Sequence, residues 1–320
     1  MSEMAAPADI LMCPPDYYGI EYEINPWMSR QRPPHSKRAA QQWETLRRVL
    51  VDQGATIHCQ TPIRGLPDLV FTANAALIYC DRAIPAHFRH AERQAEEPFV
   101  RGWLAERGFR IDPLPDGVFF EGAGDALFCG ETLFAGYRIR SDVRGHRELA
   151  DRLHCRTIPL ELVDQRYYHL DTCFCPLTPD VAIYYPPAFD DYGRKVLSYL
   201  IDHLIAVDDA EAARFACNAV VLERTVVTNV GCPQLRRELE RHGFRHVATP
   251  LSEFVKAGGS AKCLTLRLDG EEAAAWQRAS RQKRGHSTFP ATCPAASPAN
   301  GSAPTASTGS VSVRSDRLAD

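Results

Sequence analysis

An amphipathic helix followed by a short β-rich run recurs along the chain before about residue 280, and this repeat constrains the fold most. In each of five units, apolar residues at helical spacing lead into an extended run, in most cases through a Gly or His. In chain order, the apolar helix faces carry Trp43 and Leu46, Phe99 and Trp103, Leu149 and Leu153, Leu197 and Leu200, and Leu235 and Leu239.

Further strands are predicted between the helices, over residues 69–79, 117–121, 132–137, 181–185 and 219–229. A period of roughly 50 residues with several strands and one helix per unit is typical of radial repetition, so the pattern favours a propeller. A doubly wound sheet is the rival architecture. It is weakened by the strand-rich stretches between helices and by the lack of a glycine-rich phosphate loop after the first strand. The short segment 122–124 (GAG) follows a glutamate, so we discount it as a nucleotide site.

The composition changes near His286 to Ser, Thr, Ala, Pro and Gly with almost no large apolar residues. Such a stretch cannot offset its ordering entropy by burial. We therefore predict one α/β domain over residues 1–280 and a disordered tail over 281–320.

Composition excludes several classes of protein. A net charge of -3 gives no reason to expect nucleic acid or an anionic membrane as a partner. The sequence has neither a signal-peptide layout nor an apolar run of spanning length, so a cytoplasmic location is expected. The 11 cysteines are scattered and are typical of reduced thiols. Cys173 and Cys175 lack two further ligands at suitable spacing, so no metal site is predicted.

Cys263 is the strongest candidate for a catalytic residue. It follows Gly258 and Gly259, which let the backbone approach another group closely, and it precedes a predicted strand with alternating leucines. This position would hold a thiol both exposed and rigid. His169 could serve as its distant proton carrier. The alternative is that Cys263 is a small buried apolar residue, as most cysteines are.

Acidic and amide side chains at predicted strand ends form a second pattern. In an unbroken strand, Asp68 and Asn74 would share one face, as would His169 and Asp171. Glu121 leaves a Phe-Phe run into a glycine turn. Each acid alone is more often a loop cap or a surface residue. Together they favour a site for a planar cation.

A guanidinium group fits such a site, because it is permanently charged and donates paired hydrogen bonds to carboxylates. A thiolate could attack its central carbon, and a histidine could protonate the leaving amine and later activate water. The bound cation would favour the thiolate over the thiol, whose ordinary pKa is roughly 8.5. This chemistry requires no metal or organic cofactor.

Five segments resemble the guanidino-group-modifying superfamily, which includes arginine deiminase, dimethylargininase, glycine amidinotransferase and arginine dihydrolase. They are 21–28 (EYEINPWM), 67–75 (PDLVFTANA), 120–125 (FEGAGD), 168–177 (YHLDTCFCPL) and 253–265 (EFVKAGGSAKCLT). The resemblance covers nearly everything before the tail. It implies a five-bladed, pseudo-symmetric α/β propeller of the pentein type with a central active site, in agreement with the five units.

The resemblance also implies roles for individual residues. Cys263 resembles the family's nucleophile and His169 its general acid and base, while Glu121 resembles the carboxylate that orients the histidine and the guanidinium. The implied substrate-binding residues are Asp68, Asp171, Asn25, Arg140 for the α-carboxylate, and Arg93 for a second such contact, with Arg89 as the competitor of Arg93.

Two positions indicate which member the chain resembles. Deiminases and dimethylargininases carry an acid where this chain has Asn74, whereas dihydrolases are similar to this chain there. Dimethylargininases usually lack the acid found at Asp171. An amide can donate to a ureido oxygen, so Asn74 suits an enzyme that attacks citrulline again. We predict hydrolysis of L-arginine to L-ornithine, ammonia and carbon dioxide.

Several alternatives stay open at this point. They are dimethylargininase, arginine deiminase, amidinotransferase and a non-enzymatic arginine-binding sensor, although a sensor needs no nucleophile. The expected partner is a small-molecule guanidino substrate, either arginine or methylarginine. The oligomeric state is not readable from the sequence.

Overall fold

The computed structural model describes residues 8–270, which form a mixed α/β fold with five three-stranded sheets. The strands of this part are β1 Asp9–Met12, β2 Thr56–Cys59, β3 Ala76–Tyr79, β4 Arg82–Pro85, β5 Arg110–Ile111, β6 Ala126–Cys129, β7 Thr132–Tyr137, β8 Arg156–Glu161, β9 Phe174–Thr178, β10 Val181–Tyr184, β11 His203–Ala206, β12 Val220–Leu222, β13 Thr225–Asn229, β14 Arg245–Thr249 and β15 Leu266–Arg267.

Helices connect these strands. The α-helices of the described part are α1 Ser36–Asp52, α2 Ala91–Gln94, α3 Glu97–Glu106, α4 Gly122–Asp125, α5 Arg144–Leu153, α6 Asp191–Leu200, α7 Asp209–Ala212, α8 Pro233–Arg241 and α9 Ser252–Val255. Short 3-10 helices span Pro67–Val70, Thr72–Ala75, Leu170–Thr172 and Pro186–Ala188.

One topology is repeated in four of the sheets. Two consecutive strands pair antiparallel, and a helix then leads to a third strand that pairs parallel with the second. The connecting helices are α3, α5, α6 and α8. The repeated helix-and-strand unit predicted from the sequence is therefore present, as a hairpin plus one crossover.

The first sheet has the same layout but draws on both ends of the described chain. Strands β1 and β2 pair parallel across α1, and β15 supplies the antiparallel strand. Ile10 lies opposite Arg267, and Leu11 lies opposite Leu266. The last described strand thus completes the first sheet.

Residues with a left-handed backbone follow two of the helices, at a His and a Gly of the kind that the sequence predicts at the helix ends. His154 caps α5 with φ 50°, and Gly243 follows α8 with φ 76°. In this conformation the chain can turn from the helix axis toward the next strand.

The apolar helix faces pack against the sheets largely as predicted. Trp43, Leu149 and Leu239 are completely buried. Phe99 is the exception, with 46% of its surface exposed. It lies on the outer side of α3, because Val100 and Leu104 occupy the face toward the core.

Two predicted strands are absent from the described residues in the expected form. Residues 69–75 form 3-10 turns, and a strand begins at Ala76 rather than at Leu69. Residues 117–121 form no strand, although Phe120 makes an isolated bridge to His87. Both stretches carry site residues, whose packing overrides the local β propensity.

The boundary of the tail is untested. Residues 281–320 lie outside the described part, so the division into 1–280 and 281–320 stays a prediction. None of the helices found between residues 8 and 270 has the length and apolar character needed to cross a membrane.

Buried and partly exposed apolar residues of the helices should differ in how much their truncation to alanine lowers the free energy of unfolding. Leu239→Ala should lower the free energy of unfolding by about 2–5 kcal/mol, because it leaves a cavity in the core. Phe99→Ala should cost much less, about 0.5 kcal/mol, because nearly half of the residue's surface stays in contact with water. Urea unfolding measures both values, and equal losses would contradict the packing described here.

Candidate active site

Most of the predicted site residues line one small cavity. Six of the nine line it: Asn25, Asp68, Asn74, Arg93, Arg140 and Cys263. Two other cavities are larger, but none of the nine residues lines either of them. The site is therefore identified by its converging thiol, guanidinium and carboxylate groups rather than by its size.

The other three predicted residues, Glu121, His169 and Asp171, lie directly behind this lining. The Glu121 carboxylate accepts a hydrogen bond from Arg140 Nη1 at 3.1 Å and pairs with His169 Nε2 at 2.6 Å. Asp171 Oδ2 lies 3.4 Å from Cys263 Sγ. Hydrogen bonds thus connect these three residues to the cavity.

Asp68 and Asn74 reach the cavity on two 3-10 turns rather than on one strand. Phe71 N donates to Asp68 O at 2.9 Å, and Asn74 N donates to Phe71 O at 3.3 Å. Together with a bond from Ala73 N to Cys263 O at 3.2 Å, these local bonds satisfy buried backbone groups of a segment that forms no strand. The prediction that one unbroken strand places Asp68 and Asn74 on a shared face is therefore wrong, although the two side chains do meet in one cavity.

The same correction applies to His169 and Asp171. A 3-10 turn over Leu170–Thr172 follows the histidine, so alternation along a strand does not place these two side chains. Asp125 Oδ1 accepts from Leu170 N at 3.0 Å and anchors this turn. The other oxygen of Asp125, Oδ2, accepts from the Ser141 hydroxyl at 2.6 Å.

Cys263 lies in a tight turn just before β15, as predicted, but it is 2% exposed, so the predicted exposure of the thiol is wrong. The close approach predicted for the glycine pair is confirmed. A Cβ at Gly258, where φ is +83°, would lie 2.8 Å from the Tyr168 hydroxyl oxygen. A Cβ at Gly259 would lie 2.4 Å from the Phe71 ring. These contacts hold the loop that carries the thiol.

Glu121 is the anionic centre of the buried network. Burial favours its neutral form, but Arg140 and the hydrogen bond with His169 outweigh burial and hold the pKa of Glu121 below its ordinary value. Burial lowers the pKa of His169 to about 4, although Glu121 opposes this shift. At neutral pH the pair is therefore an ionised carboxylate beside a neutral imidazole.

Hydrogen-bond roles determine which nitrogen of His169 carries the proton. Arg93 Nη1 can only donate, so Asn74 Oδ1, at 2.9 Å, accepts from it. The amide nitrogen of Asn74 then lies 3.3 Å from His169 Nδ1 and donates to it. The imidazole proton is consequently on Nε2, where it is donated to Glu121.

Asp68 offers an acceptor that the described residues leave unused. Its Oδ1 is buried without a hydrogen-bond partner there, whereas Oδ2 accepts from the Tyr22 hydroxyl at 3.0 Å. Burial raises the pKa of Asp68, and Arg93 opposes the shift. A buried acceptor without a donor favours a ligand that brings one, and a guanidinium brings both a donor and a charge.

The thiol of Cys263 is protonated in this state. Burial, and then the charge of Asp171, raise its pKa well above the ordinary value, while hydrogen bonds from Ser260 and Asn218 oppose the rise. A cation bound between the sulfur and Asp171 would offset the second effect.

Arg93 and its competitor Arg89 differ clearly in placement. Arg93 lines the cavity and is held by both oxygens of Glu96, at 2.9 and 2.8 Å. Arg89 does not line the cavity, and its guanidinium pairs with Asp142 at 2.7 Å. The geometry favours Arg93.

Hydrogen bonds of Arg140 and Asn25 hold the segment around Ile24 over the cavity, and we call this segment the cover. Arg140 Nη2 donates to Ile24 O at 2.9 Å, and Asn25 Nδ2 donates to Ala257 O at 3.1 Å. The segment around Ile24 is thereby tied across the cavity from two sides.

Sequence reasoning missed three polar residues that support the site: Tyr22, Glu96 and Asn218. Burial raises the pKa of Glu96 to about 7, and Arg93 opposes the shift. The spacing of Glu96 three residues after Arg93 was an available signal. Asn218 stands alone as a polar residue in the apolar run 215–222 (FACNAVVL), which was a second signal.

Between residues 8 and 270, no group of three or more His, Cys, Asp or Glu side chains is arranged to hold a metal ion. The expectation that the site needs no metal or cofactor stays a prediction.

The site combines a buried thiol, an imidazole–carboxylate pair and a cavity whose acids favour a cation. On this α/β fold, that combination defines a member of the guanidino-group-modifying superfamily. The family model for "N,N dimethylarginine dimethylhydrolase, eukaryotic" matches residues 22–269. The chain belongs to this family.

Two curated relatives show the range of the family. The chain is 45% identical over 270 residues to the bifunctional arginine dihydrolase/ornithine cyclodeaminase ArgZ of Synechocystis sp., covering 83% of this chain and 38% of that protein. It is 40% identical over 257 residues to the N(G),N(G)-dimethylarginine dimethylaminohydrolase of Mycobacterium tuberculosis, covering 80% of this chain and 84% of that protein. The chain thus spans well under half of the bifunctional relative.

Solved structures of the ArgZ N-terminal domain are similar to this chain. One is a cysteine-to-serine mutant bound to substrate, and another is covalently bonded to a reaction intermediate. Both have a TM-score of 0.80 and 43% identity, and the match covers 83% of this chain and 99% of theirs.

The tight packing around Gly124 predicts a specific effect of an added methyl group. A Cβ there would lie 2.3 Å from Asn74 Nδ2 and 3.4 Å from His169 Cγ, so Gly124→Ala must displace the asparagine. We expect a loss of about 1–3 kcal/mol in the free energy of unfolding, measured in urea.

Gly102→Ala is the matched control, because a Cβ inside α3 at that position meets nothing within 4 Å. It should leave stability unchanged or raise it by up to about 1 kcal/mol. A crystal structure of Gly124→Ala with Asn74 undisplaced would contradict the prediction.

Proposed function

We propose that this chain hydrolyses L-arginine to L-ornithine, ammonia and carbon dioxide through a covalent thiouronium intermediate on Cys263. One observation carries the proposal: the cavity that Cys263 lines, with its Sγ 3.4 Å from Asp171, is also lined by Asp68, whose Oδ1 has no hydrogen-bond partner among residues 8–270. The similarity to ArgZ, named an arginine dihydrolase, supports it. The covalently bonded intermediate in its N-terminal domain supports the cysteine mechanism.

In this proposal the substrate guanidinium lies between Asp68 and Asp171. Each carboxylate accepts hydrogen bonds from it, and its charge offsets the carboxylates. Arg93 and Arg140 bind the α-carboxylate, and Asn25 contacts the substrate beneath the cover. The two acids and the two arginines thus match a zwitterionic amino acid with a cationic side chain.

The first half-reaction releases ammonia. The Cys263 thiol gives its proton to Nδ1 of His169, which gives up its hydrogen bond from Asn74 to accept it, and the thiolate forms a bond to the guanidinium carbon. His169 then passes this proton to the departing nitrogen, so that the carbon–nitrogen bond breaks and ammonia leaves. Glu121 stabilises the transient imidazolium. The product is the thiouronium on Cys263.

Water then attacks the thiouronium carbon while His169 accepts its proton. The carbon–sulfur bond breaks, the sulfur takes the remaining hydroxyl proton, and citrulline and the free thiol result, while His169 releases the proton that it accepted to solvent. A second cycle on bound citrulline releases another ammonia and leaves a thiocarbamate on Cys263, which water converts to a carbamic acid. That acid separates into ornithine and carbon dioxide, so the overall reaction consumes two waters.

Asn74 supports the second cycle in particular. Its amide nitrogen donates one hydrogen to His169 Nδ1, and its other hydrogen can bond the ureido oxygen of citrulline. An ionised acid at this position would repel that oxygen. The product citrulline is therefore retained for a second attack.

Hydrolysis of methylated arginine to citrulline and an amine is the second candidate. The matched family model and the Mycobacterium tuberculosis relative favour it. Asp171 beside the sulfur argues for unmethylated arginine, because methyl groups remove guanidinium donors that a carboxylate can accept.

We also propose that the five sheets are the blades of a pseudo-symmetric α/β propeller with the cavity near its axis. The repeated topology and the completion of the first sheet by β15 support this arrangement. The expected location is the cytoplasm, and the expected partner is the guanidino substrate rather than nucleic acid or a membrane.

Product analysis tests the proposed reaction. Wild-type protein incubated with arginine should form ornithine with two ammonia per ornithine, and it should consume dimethylarginine more slowly. Cys263→Ser should lower kcat by roughly three orders of magnitude or more, because serine is a far weaker nucleophile here. Cys155→Ser, a change of a thiol outside the cavity, should retain activity.

Accumulation of citrulline as the sole product would contradict the proposal that the chain is a dihydrolase. Faster consumption of dimethylarginine than of arginine would establish the second candidate instead. Full activity of Cys263→Ser would refute the covalent mechanism.

Asn74→Asp should stall the reaction at citrulline. We expect the ratio of ornithine to citrulline to fall by about tenfold or more, because the acid cannot donate to the ureido oxygen. The measurement is chromatography of both products over time. Asn229→Asp, a buried amide outside the cavity, is the control. An unchanged ratio in Asn74→Asp would contradict the role assigned to the amide.

A further inference from the structure

Asn218 is a completely buried amide that contacts the reacting sulfur. It lies between α7 and β12, far in sequence from the loop that carries Cys263. Its Oδ1 accepts from the backbone N–H groups of Ser260 and Cys263, each at 3.1 Å. Its Nδ2 lies 3.0 Å from Cys263 Sγ and 3.0 Å from Asp171 O.

These partners leave one orientation for the Asn218 amide. Two backbone N–H groups can only donate, so the oxygen must face them. The carbonyl of Asp171 can only accept, so the nitrogen must face it. The second hydrogen of that nitrogen consequently points at the Cys263 sulfur.

The sulfur therefore has a donor and an acceptor as side-chain neighbours. Asp171 Oδ2, at 3.4 Å, can accept from the neutral thiol. Asn218 Nδ2 donates toward the sulfur and gains strength when the sulfur becomes an anion, because hydrogen bonds to charged groups are stronger than neutral ones.

We propose that Asn218 is a further catalytic residue, which stabilises the Cys263 thiolate by hydrogen bonding and holds it in register with Asp171. This inference rests on the proposed role of Cys263 as nucleophile. Asn218 bonds both the nucleophile and the backbone of a substrate-binding acid, so one side chain sets the distance between them. It also donates to the thiolate again when the carbon–sulfur bond breaks.

Asn218→Asp tests the proposal, because an aspartate keeps the acceptor for the backbone N–H groups and replaces the donor near the sulfur. The full-length protein is treated with iodoacetamide across a pH series, and carbamidomethylation of the Cys263 peptide is followed by mass spectrometry. The midpoint of this profile should move to higher pH by about one unit or more. At pH 7, kcat/KM for arginine should fall roughly 10- to 100-fold, mainly through kcat.

Thr265→Val is the matched control. Thr265 lies in the same loop, is buried, and bonds the carbonyls of Ala261 and Lys262 without contacting the sulfur. It should lower the Tm but leave the alkylation midpoint of Cys263 unchanged. A purely structural role for Asn218 would make the two variants behave alike.

An alkylation profile of Asn218→Asp that superimposes on that of the wild type would overturn the proposal. If this variant does not fold, Asn218→Ser, which adds no charge, is measured in its place with the same two outcomes. Failure of the proposed function is distinguishable, since wild-type protein alkylated at Cys263 would then retain its activity.

Discussion

The ion pair of Arg140 and Glu121, shielded from water, is the interaction on which the site depends. The two charges lie 3.1 Å apart, with side-chain exposures of 2% and 0%. Removing either partner would leave a buried charge without compensation, which is far more costly than losing a surface pair. From this pair, one contact orients His169, and another, to the backbone of Ile24, holds the cover over the cavity.

Much of the site followed from residue types and spacing together with the family resemblance. All nine predicted residues lie in or directly behind one cavity, and the helix–strand repeat appears as five three-stranded sheets. The prediction succeeded because glycine pairs and acids near strand ends reflect close packing and charge. These requirements act on single positions and are visible without coordinates.

The local backbone was harder to predict. Residues 69–75 have the β-branched and aromatic content of a strand, yet they form 3-10 turns that direct Asp68 and Asn74 into the cavity. Asn218 was missed for a related reason. Its partners lie more than 40 residues away, and no local pattern reveals which distant backbone an amide will bond. Tertiary packing decides both cases.

The pairing of β15 with β1 has a consequence for folding during synthesis. Ile10 pairs with Arg267, which lies more than 250 positions later in the sequence, so the first sheet is incomplete until that residue has been synthesised. Since contacts this distant in sequence form late, the first sheet and the loop that carries Cys263 cannot be assembled before residue 267 has left the ribosome. The surroundings of the thiol therefore form only after the first and the last described strands have both been synthesised.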